Sequence, residues 1–114
     1  MKKIFGLLSL LLATSAFAED AVKVCPNMFK VIAENDTTRI IKFTQKKGES
    51  CPMHSHGPLA VYVIKPGKLT YIMPDGTKKD GPKLKAGDAF LRAPTEHEHA
   101  PAGAESVAIL VETK

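Results

Sequence analysis

The 114-residue chain is predicted to fold as an all-β protein, a single small jelly-roll-like β-barrel of about seven or eight strands. Short runs of β-branched and aromatic residues recur along its length, and glycine, proline and aspartate residues typical of turns separate them. Beyond the first 18 residues, no segment repeats its apolar residues with the 3.6-residue period of an amphipathic helix. Short strands with frequent turns between them favour a barrel or a sandwich.

The first two strands are predicted from Phe29 to Ala33 and from Thr37 to Gln45. Apolar and β-branched residues dominate both runs. The polar residues Glu34, Asn35 and Asp36 between them are typical of a turn. We therefore expect the two runs to form a hairpin.

The four histidines of the chain form two pairs with the same spacing. His54 and His56 precede the apolar run Leu59 to Ile64, and His97 and His99 precede the last apolar run of the chain. In an extended strand, residues i and i+2 project from the same side, so each pair can present two imidazoles to one ion. We interpret the pairs as two halves of one metal site, although an H-x-H sequence can also arise by chance in a polar strand.

The remaining strands are predicted from the same signals. The run Leu59 to Ile64 is apolar without alternation, which indicates a central strand buried on both faces. Further strands are predicted at Leu69 to Met73, Ala89 to Arg92 and Glu105 to Glu112, with an exposed edge strand or loop from Lys78 to Lys85. Pro74-Asp75-Gly76 is a hairpin turn, because Asp-Gly tolerates the positive φ that tight turns require.

The first 18 residues have the three parts of a secretory signal peptide. A charged start is followed by the apolar run Ile4 to Leu12 and by the cleavage sequence Ala16-Phe17-Ala18. The apolar stretch is shorter than the roughly 20 residues that a transmembrane helix needs. Cleavage after Ala18 would leave Glu19 to Lys114 as one domain, periplasmic or secreted and without a membrane anchor.

The charge of the chain gives no indication of a nucleic-acid partner. Sixteen basic and 12 acidic residues give a formal net charge of +4, and removal of Lys2 and Lys3 with the signal peptide would lower it to +2. The remaining lysines are scattered along the chain. They do not alternate with aromatic residues, as they do in many nucleic-acid-binding surfaces. We therefore expect the lysines to lie on a solvated protein surface.

Two cysteines, Cys25 and Cys51, fall in a chain that is expected to reach an oxidising compartment. There an even number of cysteines usually forms disulfides, and closing this loop would stabilise the fold by about 3 kcal/mol. Alternatively, Cys51 or Met53 supplies a soft metal ligand beside the histidines. In a regular strand these two residues face away from His54 and His56, unless Pro52 breaks the alternation.

From Phe29 to Lys114, the chain resembles the small single-domain cupins, β-barrels that hold one metal ion with two sequence motifs. Gly48, His54 and His56 match the opening of the first motif, G-x5-H-x-H, and the turn from Leu84 to Ala89 resembles the start of the second. The resemblance implies a cupin-type β-barrel with a divalent metal ion inside, bound by histidines. The metals that suit imidazole are Zn, Fe, Mn, Ni and Cu.

The sequence also departs from the cupin motifs. The glutamate of the first motif would fall at Ala60 or Val61, neither of which can bind a metal. The resemblance implies His97 as the third ligand, with His99 as the fourth ligand or a substitute. Such a site carries no protein charge, so we expect Ala60→Glu to tighten metal binding.

The resemblance leaves two function classes open. One is a protein that binds a metal ion or a small molecule; the other is a metal-dependent dioxygenase, isomerase or decarboxylase acting on a small organic substrate. Catalytic residues are not assigned. Tyr62, Tyr71 and Phe90 are expected to line the pocket, and Arg92 is a candidate contact for an anionic ligand. A homodimer is also left open.

Overall fold

The structure is a computed structural model, and it describes residues 18–114. The predicted signal peptide, residues 1–18, lies almost wholly outside this range, so cleavage after Ala18 stays a prediction. The described part begins with a short N-terminal segment that packs against the barrel: Ser55 donates its N–H to the carbonyl of Glu19 at 2.8 Å.

Residues 18–114 contain nine strands and one four-residue helix, α1 (Ala21–Val24). The strands are β1 (Phe29–Glu34), β2 (Thr38–Gln45), β3 (Cys51–His56), β4 (Leu59–Lys65), β5 (Thr70–Ile72), β6 (Lys78–Asp80), β7 (Ala89–Arg92), β8 (Thr95–His99) and β9 (Ser106–Thr113). Within this range, no helix has the length and apolar character needed to cross a bilayer. The all-β prediction is confirmed, and the strand number exceeds seven or eight because β6 and β8 are both separate strands.

The nine strands form two antiparallel sheets. The five-stranded sheet has the order β1-β2-β9-β4-β7, and the four-stranded sheet has the order β3-β8-β5-β6. The predicted hairpin is present as β1 and β2, with Phe29 opposite Phe43. Strands β3 and β4 follow each other in sequence but lie in different sheets, so the chain crosses between the sheets at Gly57 and Pro58, as in a jelly-roll-like barrel.

The apolar core lies between the two sheets. Every second residue of β9 is buried, from Ser106 to Glu112, as expected for a strand with one face on a core. The buried apolar residues of the five-stranded sheet are Phe29, Ile41, Phe43, Leu59, Val61, Val63, Ala108 and Leu110. The rings of Phe29 and Phe43 pack with their centroids 5.1 Å apart.

The outer face of β4 is exposed, so the prediction of a strand buried on both faces is wrong. Val61 and Val63 are buried, whereas Tyr62 and Ile64 are 51 % and 45 % exposed. Leu91 on the neighbouring strand β7 is 85 % exposed. Apolar and polar residues do not alternate along β4, because its outward positions are apolar as well. No second layer of the described chain covers these outward side chains.

A group of charged side chains ties the N-terminal segment to the five-stranded sheet. Arg39 on β2 donates to both carboxylate oxygens of Asp20, each at 2.9 Å, and to Glu112 Oε1 at 3.1 Å. Glu112 is buried and also accepts the N–H of Gly57 at 2.6 Å. We call these three side chains the Arg39 network (Asp20, Arg39, Glu112).

Candidate metal centre

Strands β3 and β8 place the four histidines on one buried face of the four-stranded sheet. The strands pair antiparallel, with His54 opposite His97. Because residues two apart share a face, His56 and His99 project to the same side as their neighbours. All four residues are at most 5 % exposed. We call them the four-histidine cluster (His54, His56, His97, His99).

The alternation of β3 is broken by a bulge at Pro52 and Met53. Cys51 lies opposite His99 and His54 opposite His97, so three steps along β3 match two steps along β8. An extra residue of this kind shifts the side chains before it to the other face. Cys51 and His54 consequently both point inward, and the expectation from strict alternation that Cys51 faces away from the histidines is wrong.

Cys51 is nevertheless not a thiolate ligand in this structure, because it is joined to Cys25 by a disulfide. Its Sγ lies 3.4 Å from Nδ1 of His54. The disulfide therefore connects the segment before β1 to the strand that carries half of the four-histidine cluster. Met53, in the bulge, is half-buried.

The four imidazoles converge closely enough to share one ion. One nitrogen from each histidine lies within 4.8 Å of the corresponding nitrogen of every other. Nε2 of His97 and Nε2 of His99 are 3.2 Å apart. In a tetrahedral site with Zn–N bonds of about 2.0–2.1 Å, the ligand nitrogens lie about 3.3–3.4 Å from one another. Small movements of the side chains would bring the cluster to that geometry.

Gln45 fixes the protonation of His99. Its Nε2 donates to the carbonyl oxygens of Glu49 and Ala100 at 2.6 and 3.1 Å, which leaves its Oε1 to face Nδ1 of His99 at 2.8 Å. An amide oxygen can only accept, so Nδ1 of His99 carries the proton. The neutral ring then has its lone pair on Nε2, directed into the cluster.

His54 is held in the same protonation state by the backbone. Its Nδ1 donates to the carbonyl oxygen of Pro52 at 2.7 Å, and its Nε2 is buried without a hydrogen-bond partner. Nδ1 of His56 is also buried without a partner. A buried polar atom left unpaired costs about 1–3 kcal/mol. Nε2 of His99 can accept from Nε2 of His97, whereas the lone pair of His54 has no donor; a cation would bind both lone pairs.

Burial keeps the four histidines uncharged. It lowers the pKa of His54, and together with repulsion from Arg92 and from any neighbouring imidazole that takes up a proton it lowers the pKa of His56 and of His97 to about 3 and that of His99 to about 2. At neutral pH each ring therefore offers a lone pair without first releasing a proton.

Aromatic rings surround the cluster. Phe29 packs against His54 and His56 with ring centroids 5.3 Å from each. The ring of Tyr71 stacks on that of His97, with the centroids 4.5 Å apart and an interplanar angle of 13°. The guanidinium of Arg92 lies over the Tyr71 ring, 5.2 Å from its centroid. These contacts hold the imidazoles in place.

A cavity of about 70 Å³ adjoins the cluster inside the barrel. His56 and His99 line it, together with three of the predicted pocket residues, Tyr71, Phe90 and Arg92. Tyr62, the fourth predicted pocket residue, projects from the outer face of the five-stranded sheet and is not part of this cavity. The prediction failed because β4 alternates, and only its odd-numbered residues face the interior.

The same alternation decides between the two positions expected for the missing glutamate. Val61 is 8 % exposed and lines the cavity. Ala60 lies opposite Val111 and Leu91, both of which are exposed on the outer face. The prediction that Ala60→Glu would add a ligand is therefore wrong, since that side chain would point out of the barrel.

Sequence reasoning did not identify Gln45 or the Arg39 network. A signal for Gln45 is present: it continues the inward series Ile41 and Phe43 on β2, where a polar side chain needs a partner. No comparable signal marks Arg39, because a pairing with Asp20 and Glu112 depends on the assembled fold.

The comparisons with known proteins concern the fold. No protein-family model matches the chain, and no curated protein matches its sequence. Among solved structures it is similar to a cupin domain from Bordetella pertussis, with a TM-score of 0.65 and 20 % identity over 88 % of this chain and 99 % of that one. An RmlC-like cupin protein from Desulfovibrio desulfuricans has a TM-score of 0.51 and 21 % identity over 94 % and 97 %.

A cupin-like protein from Thermotoga maritima has a TM-score of 0.52 and 28 % identity over 75 % of this chain and 65 % of that one. The first two likenesses extend over most of both chains and concern the fold. The chain therefore has the cupin fold, and it holds a buried four-histidine cluster that is compatible with metal binding.

Proposed function

We propose that this protein is an exported cupin that binds one divalent transition-metal ion through His54, His56, His97 and His99. The observation that carries the proposal is the fixed protonation of His54 and His99. Pro52 and Gln45 accept the Nδ1 protons, so both rings carry a lone pair on Nε2, and that of His54 is buried without a partner. A bound cation removes the cost of leaving such atoms unpaired.

The chemistry of the ligands restricts the metal. Four imidazoles suit borderline divalent ions, namely Zn, Fe, Mn, Ni and Cu, and provide no hard oxygen ligand of the kind that Ca and Mg prefer. All four ligands are neutral, so the ion would keep its full charge in the site. A four-coordinate ion would be closed off by the protein, whereas a five- or six-coordinate ion would leave a position for water or a small molecule.

Export is the second part of the proposal. It rests on the signal-peptide features of residues 1–18 and is supported by the disulfide between Cys25 and Cys51. Disulfides of this kind persist in the periplasm and outside the cell and are rare in the reducing cytosol. Intact-mass measurement of the exported protein should give a chain that begins at Glu19; a mass that includes Met1 to Ala18 would contradict the cleavage prediction.

A metal-dependent enzyme is the second candidate function. The cavity beside His56 and His99 supports it, because a small organic molecule there would be next to the bound ion. An ion in this place would act as a Lewis acid or activate a bound water molecule. The chain itself would contribute two things to such a reaction. One is an apolar wall that excludes water, and the other is a single cation in that wall, Arg92.

The metal proposal is tested by titration of untagged protein, because a histidine tag would add competing ligands. Metal-free wild type should bind one equivalent of Zn²⁺ in a calorimetric titration. The double variant His54→Ala/His56→Ala should lose nearly all affinity, since half of the ligands are gone. Lys65→Met is the matched control, because Lys65 lies on the surface in an ion pair with Glu105. Equal binding by wild type and the double variant would refute the proposal.

Co²⁺ as a spectroscopic probe distinguishes the two candidate functions. Intense visible bands of a tetrahedral ion would indicate a closed site and favour metal binding alone. Weak bands of a five- or six-coordinate ion would indicate an open position and favour the enzyme. Turnover of an oxygenase or isomerase substrate, abolished by a chelator and restored by one metal, would then establish catalysis.

A further inference from the structure

We propose that the cavity beside the four-histidine cluster binds a short organic monocarboxylate, with its carboxylate held by Arg92 and its apolar part against the aromatic and aliphatic wall. The inference deepens the proposed function, on which it rests for the charge that a bound ion would add. It concerns the class of ligand, and it follows from four properties of the cavity: its size, its wall, its charge and the position of one arginine.

The wall of the cavity is almost entirely apolar. Phe29 and Phe43 contribute from the hairpin, and Phe90 and Leu110 from other strands of the five-stranded sheet. The polar side chains on its surface are few and include His56, His99, Ser106 and Arg92. Pockets with this composition bind a ligand through apolar contact and use a small number of polar groups to fix its orientation.

Arg92 is a cation without a partner in the described chain. The other arginine, Arg39, donates to two carboxylates, whereas Arg92 forms no ion pair with any residue from 18 to 114. Its guanidinium lies over the ring of Tyr71, 5.2 Å from the centroid, and it lines the cavity. A guanidinium in such a cation–π contact keeps its N–H donors, which can bind a carboxylate through two parallel hydrogen bonds.

The charge in the cavity favours an anion. No aspartate or glutamate lines it, the neighbouring histidines are neutral, and Arg92 is positive. A divalent ion in the four-histidine cluster would add two further positive charges, because no ligand there is anionic. Attraction between opposite charges is stronger in such an apolar surrounding than in water.

The size of the cavity limits the ligand to a few atoms. A water-sized group needs about 10–15 Å³, so a cavity of about 70 Å³ has room for roughly five to seven such groups. A carboxylate takes three of them and leaves about two to four for a compact hydrocarbon part. A phosphate ester or a dicarboxylate fits less well, since a second charged group would meet the apolar wall without a cation.

Isobutyrate, with six non-hydrogen atoms, is the probe for the test, and isobutyramide is its neutral control of the same shape. NMR titration of zinc-loaded, untagged wild type should show isobutyrate shifting the methyl signals of Val63 and Leu110, and the amide binding at least tenfold more weakly. Arg92→Met should weaken isobutyrate binding about 10- to 100-fold, because a charge-assisted pair is lost, and leave the weak amide binding unchanged.

Two further variants keep the test decisive. Arg92→Lys retains the charge but not the planar fork, so an intermediate loss is expected, and it replaces Arg92→Met if that variant does not fold. Lys65→Met removes an exposed charge whose side chain does not line the cavity and should leave isobutyrate binding unchanged. Equal binding of the acid and the amide, an Arg92-independent affinity, or tighter binding of inorganic phosphate than of isobutyrate would each overturn the inference.

The titrations are repeated on the metal-free protein so that the two proposals can fail separately. If Zn²⁺ binds but isobutyrate binds neither form, the inference is wrong and the metal function stands. If isobutyrate binds through Arg92 but no divalent ion binds, the metal function is wrong and the carboxylate site stands. If both bind, isobutyrate should bind more tightly to the zinc-loaded form, and weaker binding to that form would contradict the argument from charge.

Discussion

This small barrel holds two groups of polar side chains, one partly and one fully buried, and they differ in how their hydrogen bonds are satisfied. In the Arg39 network, one cation and two carboxylates pair directly, and Glu112 uses a further oxygen for the N–H of Gly57. In the four-histidine cluster, Nδ1 of His54 and Nδ1 of His99 are paired, whereas Nε2 of His54 and Nδ1 of His56 have no partner.

The difference separates a structural group from a functional one. The Arg39 network is complete without any ligand, and it links the N-terminal segment, β2 and β9. The four-histidine cluster keeps two buried nitrogens without a partner, and a ligand is needed to complete it. A buried polar group that is satisfied stabilises a fold, whereas one that is left open costs stability and is retained where function requires it.

Acid should act on the two groups in different pH ranges, with its largest effect through the four-histidine cluster. The folded-state pKa values of His56, His97 and His99 lie far below the unfolded value of 6.5. The unfolded chain therefore binds more protons below pH 6.5, and stability falls as the pH falls towards 3. The expected loss in metal-free protein is about 1.4 kcal/mol per pH unit for each histidine that stays uncharged.

Urea denaturation at a series of pH values measures this slope. The Arg39 network should contribute only in stronger acid. Burial alone would raise the pKa of Asp20, but its hydrogen bonds with Arg39 and with the N–H of Val22 lower it, so this carboxylate contributes stability above pH 3.8 and loses it below. A metal-free protein equally stable at pH 7 and pH 5 would contradict the assignment of buried, neutral histidines.

Breaking the Arg39 network should have the next largest effect. Arg39→Met leaves the buried carboxylate of Glu112 without its cation, and we expect a loss of about 3–5 kcal/mol in the free energy of unfolding. Lys65→Met removes one member of an exposed pair with Glu105 and should cost less than about 1 kcal/mol. Chemical denaturation of both variants at pH 7 compares their free energies of unfolding. Similar losses in the two variants would mean that the Arg39 network contributes no more to stability than an exposed ion pair.

Gln45→Met should weaken metal binding by about 10- to 100-fold, because His99 loses the acceptor that fixes its proton on Nδ1. The structural cost is separate: the carbonyl oxygens of Glu49 and Ala100 also lose their donor. Zinc affinity is therefore measured at a temperature where the variant is fully folded. Unchanged affinity in folded Gln45→Met would show that His99 does not depend on this contact.

The smallest effect is expected from restoring a carboxylate. Val61→Glu places an acid in the cavity beside His56 and His99, and we expect about tenfold tighter metal binding together with a less stable metal-free protein. Ala60→Glu is the matched control, because it adds the same charge on the outer face one residue away. Calorimetric titration that found the larger gain in Ala60→Glu would contradict the orientation of β4.

Much of this architecture could be predicted from the sequence. The hairpin of β1 and β2, the all-β class and the inward-facing pair on β8 follow from residue preferences and from alternation along a strand. These are local properties, and each can be read from a few consecutive residues. The i, i+2 spacing of His97 and His99 needed no knowledge of any other strand.

The features that sequence reasoning missed depend on pairing between distant segments. The hydrogen bond from His99 to Gln45 joins residues 54 positions apart. The exposure of Tyr62 depends on whether anything packs on the outer sheet face, which an apolar sequence pattern does not specify. The bulge in β3 becomes visible only when Cys51 and His54 are matched to His99 and His97.

That bulge couples two features of the barrel that could otherwise change independently. Deleting or inserting one residue between Cys51 and His54 would turn either the disulfide cysteine or the histidine out of the barrel. The length of the two-residue spacer is therefore fixed both by the disulfide of Cys51 and by the position of His54 in the cluster. In the descent of this chain and its relatives, we expect the cysteine pair and the length of this spacer to be inherited together and lost together.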